Sequence, residues 1–496
     1  MSNELTALLI PALLLASAIF ILLFGLSSYY TKNRGYFITL ATLFITFFIS
    51  ASKINTLYSI KVLPEYFNSM IVYDTFSATF ITLFLLGGFL TLAIAKSFID
   101  KTNFFTHEAF VLFLFSLFGM VVLTMANELL TAFISLEIAS MSVYILVGIN
   151  RNSLKASEAF FKYLLLGSFA ASFYLLGMML IYAQAKSTHL DVIAEYILTT
   201  DFDAQLLIIA GGMLIMLTIM FKIAAVPFGA WVLDVYEGAS LPITAYMAGV
   251  FKIAVFAFAL RIYLHDYSWF EVIYDPLLIF GAMVTIVVGS LLAVIQSSVK
   301  KMLAASSVVH SGYLLIAFAS IEANNQDAAS AIMFYLFAYF ISAIGAFGVL
   351  SYISKGSDKL ISFDDLDGLG QDRPIIAASL SLFLLSLAGF PSTIGFIGKF
   401  YIFTAAIESG YTFLALFGAV SAFISIYYYF KVIVHMYFKE SAHLDIHYGY
   451  KVSLAFIIIS AIIVLWGGIG TSLLLNIPGI NALNDLSKYS IESLGL

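Results

Sequence analysis

The chain has 496 residues, of which 62% are hydrophobic and only 10% are charged, and its formal net charge is −6. Its apolar segments reach the roughly 20 residues that cross a bilayer as a helix, so we expect a single integral membrane domain over residues 1–496. The sequence contains no cysteine, which excludes disulfides, iron–sulfur clusters and thiolate metal sites. The small net charge indicates no nucleic-acid partner.

The apolar segments predict an all-α polytopic membrane protein with about fourteen transmembrane helices. They lie near residues 5–27, 36–51, 72–95, 109–126, 128–149, 160–184, 205–226, 241–264, 277–296, 303–320, 328–353, 375–408, 411–438 and 453–475. Lysine and arginine concentrate in the connections after helices 1, 3, 5, 9, 11 and 13. The positive-inside rule therefore predicts that both termini lie on the periplasmic side of a bacterial inner membrane.

Predicted helices seven and twelve carry helix-breaking residues close to lysines. Pro227 follows Lys222 by five residues, and Gly389 and Pro391 shortly precede Lys399. A proline frees the backbone carbonyl four residues earlier, which at membrane depth is tolerated only inside the protein or beside a wet cavity. A proline kink without a role is the alternative, but two breaks, each beside a lysine, favour the ion site of a transporter.

An internal repeat relates the two halves of the chain. The segment Ala159–Leu164 resembles Ala331–Leu336 at an offset of 172 residues. Helices four to eight, residues 109–264, thus correspond to helices nine to thirteen, residues 277–438. Because each unit has an odd number of helices, the second unit enters the membrane from the opposite side, which predicts two inverted repeats. A chance similarity between the two segments is the alternative.

Charged side chains inside the predicted helices are the first candidates for function. They are Lys222, Lys252, Lys399, Lys162 near the start of helix six, and Glu137 in helix five. A charged residue at the bilayer centre costs roughly 2.5–3.5 kcal/mol. Burial also moves the pKa of lysines and carboxylates toward the physiological range, where these groups can exchange protons. The pattern therefore predicts a buried proton relay.

Three polar residues have a simple structural alternative. Lys162 and Lys431 lie near helix ends, where a lysine often extends its ammonium group to the headgroup region and does nothing more. His310, in the run VVHSGYLL, is a sixth candidate for the relay. It is equally well explained as a histidine whose hydrogen bonds are satisfied between helices.

Two polar segments resemble metal sites only in part. His443 and His447 are spaced like a metal-binding pair, but they lie in a polar connection with no third ligand nearby, so we expect a solvated loop. The acidic run Asp364–Gly368 lacks the first aspartate and the terminal glutamate of a calcium loop, so we expect a cytoplasmic surface loop. We predict no metal site, and the sequence has no phosphate-binding loop or dinucleotide motif.

Five runs together resemble the antiporter-like membrane subunits of respiratory complex I over nearly the whole chain. They are SLEIASMSVYILVG, SEAFFKYLLLGSFAASFYLLG, FKIAAVPFGAWVLDVYEGASLPITAY, KKMLAASSVVHSGYLLI and LAGFPSTIGFIGKFYIF. Within this family, DVYEGA, a lysine at position 399 and the lack of a long lateral C-terminal helix resemble the N-type subunits of NADH-quinone oxidoreductase. One position departs from the family pattern, because Gly229 stands where a histidine is usual. We expect water or another helix to supply the lost partner near Lys222.

The resemblance implies a role for each candidate residue. Glu137 matches the helix-five glutamate that pairs with the helix-seven lysine, here Lys222, and Lys252 matches the central lysine between the two half-channels. Lys399 matches the helix-twelve lysine near the outer exit, and Lys162 matches a helix-six lysine. The pairing has a physical basis, since a lysine beside a carboxylate keeps its proton and a separated, desolvated ammonium can release it.

The function implied by the resemblance is proton translocation as a membrane subunit of NADH-quinone oxidoreductase. No cofactor is expected in this chain, because FMN, iron–sulfur clusters and quinone would belong to partner subunits. Its expected partners are the other membrane subunits of complex I and the lipid bilayer. Two alternatives stay open at this point: a subunit of a multisubunit Na⁺/H⁺ antiporter, which shares the fold and the lysines, and a structural membrane subunit that does not pump.

Overall fold

The computed structural model describes residues 3–27, 31–58, 65–200, 205–265, 267–322, 327–354, 356, 361–440, 450–469 and 480–494. The helices in this part of the chain are α1 (Asn3–Gly25), α2 (Lys32–Tyr58), α3 (Thr75–Lys101), α4 (His107–Met125), α5 (Leu129–Val147), α6 (Leu154–Ala185), α7 (Leu190–Thr199), α8 (Leu206–Lys222), α9 (Val232–Gly238), α10 (Leu241–Tyr246), α11 (Lys252–His265), α12 (Tyr267–Ile295), α13 (Val299–Phe318), α14 (Asp327–Ile353), α15 (Leu369–Asp372), α16 (Pro374–Ala388), α17 (Ile394–Glu408), α18 (Thr412–Phe438), α19 (Lys451–Ile469) and α20 (Ile480–Glu492). A short antiparallel hairpin joins β1 (Glu65–Tyr66) to β2 (Ile71–Val72).

The predicted all-α polytopic fold is confirmed. In the described residues, twelve helical segments are long and apolar enough to cross a membrane, and α8 and α16 are shorter apolar helices. The shorter helices α8 and α16 lie in predicted helices seven and twelve, so together with the twelve longer segments they account for the fourteen predicted helices. The helices α2 and α6 begin before the predicted boundaries, because their first turns carry charged residues that resemble loop sequence. The division into inverted repeats at 109–264 and 277–438 stays a prediction.

The core of the molecule lies around three helical segments that are buried almost completely. These are the segment from α10 to α11, α13 and α14, whereas α1, α2 and α6 expose much of their surface. The exposed side chains of the outer helices are largely leucine, isoleucine and phenylalanine, as expected for a surface that faces lipid tails. The buried helices carry Lys252 and His310, so these two residues lie in the centre of the protein.

Predicted helix seven is broken as expected. Its first half, α8, ends at Lys222, and its second half, α9, starts only at Val232. The freed backbone groups find partners on other segments. The indole of Trp231 donates to the Phe221 carbonyl at 3.2 Å, and the Val226 amide donates to Thr285 Oγ1 at 2.9 Å. These two backbone groups at the break are therefore hydrogen-bonded, as membrane depth requires.

Predicted helix twelve is broken as well. The first half, α16, ends at Ala388, and Gly389 follows with a φ of +84°. This left-handed conformation favours glycine because other residues meet a clash at Cβ. The second half, α17, starts at Ile394, and the Gly395 amide donates to Ser386 Oγ at 3.2 Å across the break.

The helices α7 and α20 are among the short helices that were not predicted. Both are amphipathic and much shorter than the roughly 20 residues of a crossing, so neither forms a long apolar segment. Hydrogen bonds fix α20 against the start of α3. Ser490 Oγ donates to Thr79 Oγ1 at 2.7 Å, and the Phe76 amide donates to Ser493 Oγ at 3.1 Å.

Candidate functional site

Lys222 lies at the end of α8 in a polar pocket formed by α5. Its side chain is fully buried, and its ammonium group donates to Ser140 Oγ at 2.7 Å and to Tyr144 OH at 2.9 Å. Glu137 Oε1 lies 3.7 Å from the same nitrogen, and this oxygen has no hydrogen bond in the described part of the chain. The structure thus places the predicted carboxylate–lysine pair together, at ion-pair distance but without a direct hydrogen bond.

The hydroxyl groups of α5 account for the departure at Gly229. A Cβ atom at this position would lie 2.4 Å from the Ala224 carbonyl oxygen, so the backbone of the break leaves no room for a side chain. Another helix was one of the two expected replacements for the missing histidine, and α5 supplies partners of this kind. Ser140 and Tyr144 supply the hydrogen-bond acceptors that the Lys222 ammonium needs.

Lys252 is the first residue of α11 and follows a π-helical turn at Met247–Phe251. Such turns widen a helix locally and often occur at functional sites. The buried ammonium group donates to the Ser307 carbonyl at 2.7 Å and to Ser311 Oγ at 2.9 Å, both on α13. Among the described residues, no carboxylate oxygen lies within 4.0 Å of it. The groups that bind the Lys252 ammonium and offset the cost of its burial are therefore neutral hydrogen-bond acceptors.

Ser311 connects Lys252 to the break beside Lys222. Its hydroxyl donates to the Ile223 carbonyl at 2.6 Å and accepts from the Lys252 ammonium. Ile223 O is the carbonyl that Pro227 leaves without its helical partner, because proline has no amide hydrogen. One side chain of α13 therefore satisfies the broken helix and holds the central lysine at the same time.

His310 lies one residue earlier on α13 and contacts a group of buried tyrosines. Its Nδ1 lies 2.5 Å from Tyr335 OH, and its Nε2 lies 3.1 Å from Tyr429 OH. The ring of Tyr339 lies 4.8 Å from the imidazole and 6.0 Å from the Lys252 ammonium, measured to ring centroids. His310 thus makes a hydrogen bond at each ring nitrogen, and the ring of Tyr339 lies between it and Lys252.

Lys399 reaches back from α17 across the second break. Its ammonium group donates to the Leu387 and Ala388 carbonyls at 2.9 Å each, and it lies 4.8 Å from the ring centroid of Tyr313. Leu387 and Ala388 form the end of α16, where unpaired carbonyls and the helix dipole favour a positive charge. The backbone of the break is thus the binding partner of this lysine.

Lys162 does not join the buried lysines. Its side chain is 42% exposed and forms ion pairs with Glu158 at 2.6 Å and with Asp234 at 2.8 Å. The alternative of a lysine near the membrane surface describes this geometry better, and its role in the relay stays a prediction. Lys431 is half-buried, and its ammonium group lies 4.1 Å from the centroid of the Phe363 ring.

The acidic run after α14 packs against the end of α18. His435 Nδ1 lies 2.6 Å from an oxygen of Asp367 and 3.7 Å from an oxygen of Asp364. Each of the three residues has one atom that could bind a metal ion, and these atoms lie within 4.8 Å of one another. Lys439 approaches both carboxylates, at 3.8 and 3.9 Å. A lysine therefore already supplies positive charge to this cluster. His443 and His447 lie outside the described residues.

A buried ion pair between α11 and the start of α3 was missed by the sequence analysis. Arg261 lies near the end of predicted helix eight, and its buried guanidinium donates to both carboxylate oxygens of Asp74 at 3.0 Å and to Ser77 Oγ at 2.8 Å. The same arginine donates to the Thr124 carbonyl of α4 at 3.2 Å. A charged residue only a few positions from a helix end carries no sequence signal that distinguishes burial from exposure.

Comparisons with known proteins agree with this architecture. The family described as "NADH:quinone oxidoreductase/Mrp antiporter, TM" matches residues 126–425. A protein of Trichlorobacter lovleyi named NADH-quinone oxidoreductase subunit N is 39% identical over 373 residues, which cover 75% of this chain and 76% of that protein. A protein of Sorangium cellulosum named NADH-quinone oxidoreductase subunit N 1 is 39% identical over 381 residues and 75% of each chain.

Two solved assemblies contain chains of similar structure. A chain of respiratory complex I from Thermus thermophilus superimposes with a TM-score of 0.78 at 27% identity, covering 93% of this chain and 97% of that one. A chain of the Mrp complex from Dietzia sp. DQ12-45-1b gives a TM-score of 0.86 at 19% identity, covering 100% and 98%. The second likeness concerns the fold alone.

Proposed function

This chain belongs to the NADH:quinone oxidoreductase/Mrp antiporter transmembrane family, and from this premise we propose that it is the N-type, proton-translocating membrane subunit of an NADH-quinone oxidoreductase. Relatives of this name are 39% identical to it over three quarters of its length, whereas the likeness to the Mrp chain rests on fold. In this assignment, NADH oxidation and quinone reduction occur in partner subunits, and this chain carries protons.

The observation that carries the proposal is the continuous contact from Lys222 to Lys252. Lys222 ends the broken helix, the Ile223 carbonyl follows it directly, and Ser311 joins that carbonyl to the Lys252 ammonium. A movement of the break therefore changes the hydrogen bonding of the central lysine. A packing role alone would not require both lysines to be buried, because buried cations cost free energy that an apolar side chain avoids.

Glu137 is the charge that controls the first lysine. At 3.7 Å its carboxylate compensates the Lys222 ammonium, while Ser140 and Tyr144 hold the ammonium in place. When the carboxylate moves away or takes up a proton, the ammonium loses its compensating charge and becomes the less stable form in this buried site. Lys222 then releases its proton, and the return of the Glu137 charge favours its reprotonation.

His310 and Lys399 form the second half of the relay. His310 lies on α13 beside Ser311 and is hydrogen-bonded to Tyr335 and Tyr429. The ring of Tyr339 lies near both His310 and Lys252, and the ring of Tyr313 lies near both His310 and Lys399. Lys399 is held by the carbonyls at the end of α16. A proton that leaves Lys252 thus has an imidazole and a second lysine within the same buried group of residues.

The remaining assignments follow from the family. FMN, iron–sulfur clusters and quinone belong to partner subunits in this proposal, and the partners in the membrane are other antiporter-like and small subunits of complex I. The chain lies in a bacterial inner membrane, with both termini on the periplasmic side. Co-purification of flavin-containing and iron–sulfur subunits with the tagged chain supports the assignment, and isolation with Mrp-type antiporter subunits instead contradicts it.

The decisive experiment measures NADH-driven proton uptake in membrane vesicles, normalised to the amount of assembled complex and to electron transfer to an artificial acceptor. We expect Lys222→Ala and Lys252→Ala to lower proton uptake several-fold with normal assembly. Lys451→Ala, which changes an exposed lysine at the start of α19, is the control and should pump normally. Full pumping in both Lys222→Ala and Lys252→Ala would contradict the proposal and leave only a structural role for the two lysines.

A further inference from the structure

A polar crevice lies between α14, α17 and α20, away from the buried lysines. It has about 200 Å³ of free space and is lined by Asp327 and Ala331 of α14, Tyr401 and Glu408 of α17, and Lys488 of α20. Tyr401 and Glu408 are seven residues apart, with Thr404 between them, so one face of α17 lines the crevice. The crevice therefore lies on the same half-helix that carries Lys399.

One face of α14 leads from this crevice to the relay. Asp327, Ala331 and Tyr335 follow one another at intervals of four residues, so each lies one turn from the next on adjoining parts of the α14 surface, over about 12 Å in all. Tyr335 lies 2.5 Å from His310 Nδ1. Its ring also packs against Gly398, where a Cβ atom would lie 2.8 Å from Tyr335 Cδ2. Tyr335 thus contacts both His310 and the residue before Lys399.

An ion pair lies at the mouth of the crevice. Lys488 Nζ is 2.7 Å from Asp327 Oδ1, and the two side chains are 44% and 45% exposed, so both reach solvent. The hydrogen bond to Asp327 raises the pKa of Lys488, which keeps this lysine positively charged over the physiological range. The other titratable groups on the crevice or beside Lys488 are Glu408, Tyr401 and Asp485.

We propose that Asp327 is an additional proton-carrying residue of this chain, which exchanges protons between outer water and the His310–Tyr335 pair, and that Lys488 of the C-terminal helix tunes this exchange. In each passage, the Tyr335 hydroxyl takes up one proton from His310 and gives one to water in the crevice, which extends to Ala331, one turn of α14 from Tyr335. The Asp327 carboxylate takes up that proton and releases it to outer water. Tyr335 and Asp327 therefore end each passage in the protonation state in which they began it. This inference rests on the proposed function.

The test uses two variants that both break the ion pair. Asp327→Asn removes the group that carries the proton, and Lys488→Gln removes only its cationic neighbour. We expect Asp327→Asn to lower NADH-driven proton uptake several-fold with normal assembly, and Asp327→Glu to restore most of it. We expect Lys488→Gln to keep pumping, but with a changed dependence on outer pH, because the positive charge beside the Asp327 carboxylate is then missing.

Glu492→Gln, at an exposed position on the same helix, is the control and should behave like the unchanged protein. Equal losses of assembled complex in Asp327→Asn and Lys488→Gln would show that the ion pair only docks α20 and would overturn the proposal. Normal pumping in Asp327→Asn together with a loss in Lys222→Ala would overturn this inference and leave the proposed function intact. Normal pumping in both Asp327→Asn and Lys222→Ala would overturn the proposed function as well.

Discussion

The hydroxyl group of Tyr144 occupies the space where a side chain at residue 167 would begin. A Cβ atom on Gly167 of α6 would lie 2.0 Å from Tyr144 OH, and this hydroxyl accepts the hydrogen bond of the Lys222 ammonium at 2.9 Å. The small residue on α6 is therefore part of the geometry of the lysine pocket, although it does not touch the lysine itself. A glycine of α6 thus helps to fix the hydroxyl group that binds Lys222.

The first prediction follows from this contact. Gly167→Ala should displace the Tyr144 hydroxyl from Lys222 and lower NADH-driven proton uptake several-fold, because the ammonium loses one of its two hydroxyl acceptors. Tyr144→Phe should have a similar effect without the steric change. Ser168→Ala, one residue along α6 and exposed, is the matched control. Normal pumping in Gly167→Ala and Tyr144→Phe would mean that Ser140 and Glu137 hold Lys222 sufficiently by themselves.

The second prediction concerns the charge of Glu137. Glu137→Gln should slow proton uptake, because it removes the attraction for Lys222, whereas Glu137→Asp keeps the charge on a shorter stem and should do less harm. Lys222→Ala should be the most damaging of the three changes. Packing alone predicts the opposite order for the first two, since glutamine is nearly isosteric with glutamate. The measurement is again proton uptake per assembled complex, and a mild Glu137→Gln variant would contradict the charge switch.

Much of the fold could be predicted from the sequence because lipid imposes strong local rules. Each crossing needs a long apolar segment, and Pro227 and Pro391 mark the two breaks directly. The short helices α7 and α20 could not be predicted in this way, because neither is long enough to form an apolar segment of membrane-crossing length. Their positions depend on side-chain contacts such as the bond from Ser490 to Thr79.

The partners of the relay residues could not be predicted in the same way. Ser140 is 82 residues from Lys222 in sequence, and Ser311 is 88 residues from Ile223. Serines are common in membrane helices, where most of them bond their own backbone, so composition does not single out the two that bind lysines. Their role becomes visible only when the helices are packed together.

The third prediction tests the second break with a matched pair of glycines. Gly389 and Gly410 have nearly equal φ values of +84° and +81°, but a Cβ at Gly389 would lie 2.9 Å from Lys399 Cδ, whereas Gly410 has no atom within 4 Å. Alanine at either position should cost roughly 1 kcal/mol of stability because of the left-handed backbone. Only Gly389→Ala should also lower proton uptake, since it displaces Lys399 from its carbonyl acceptors. Equal effects of the two changes on pumping would show that backbone strain alone is responsible.

The last prediction concerns the ion pair of Arg261 and Asp74. Both side chains are almost fully buried, and removal of one partner leaves an uncompensated charge that typically costs roughly 3–5 kcal/mol. Asp74→Asn and Arg261→Gln should therefore each reduce the amount of assembled complex and lower its thermal unfolding temperature. The double variant should recover much of the loss, because no unpaired charge remains, and it should pump at a near-normal rate per assembled complex. The measurements are native gel quantification, a thermal unfolding curve and proton uptake. A double variant that assembles normally but does not pump would show that this pair takes part in proton transfer and does more than anchor α11 to α3.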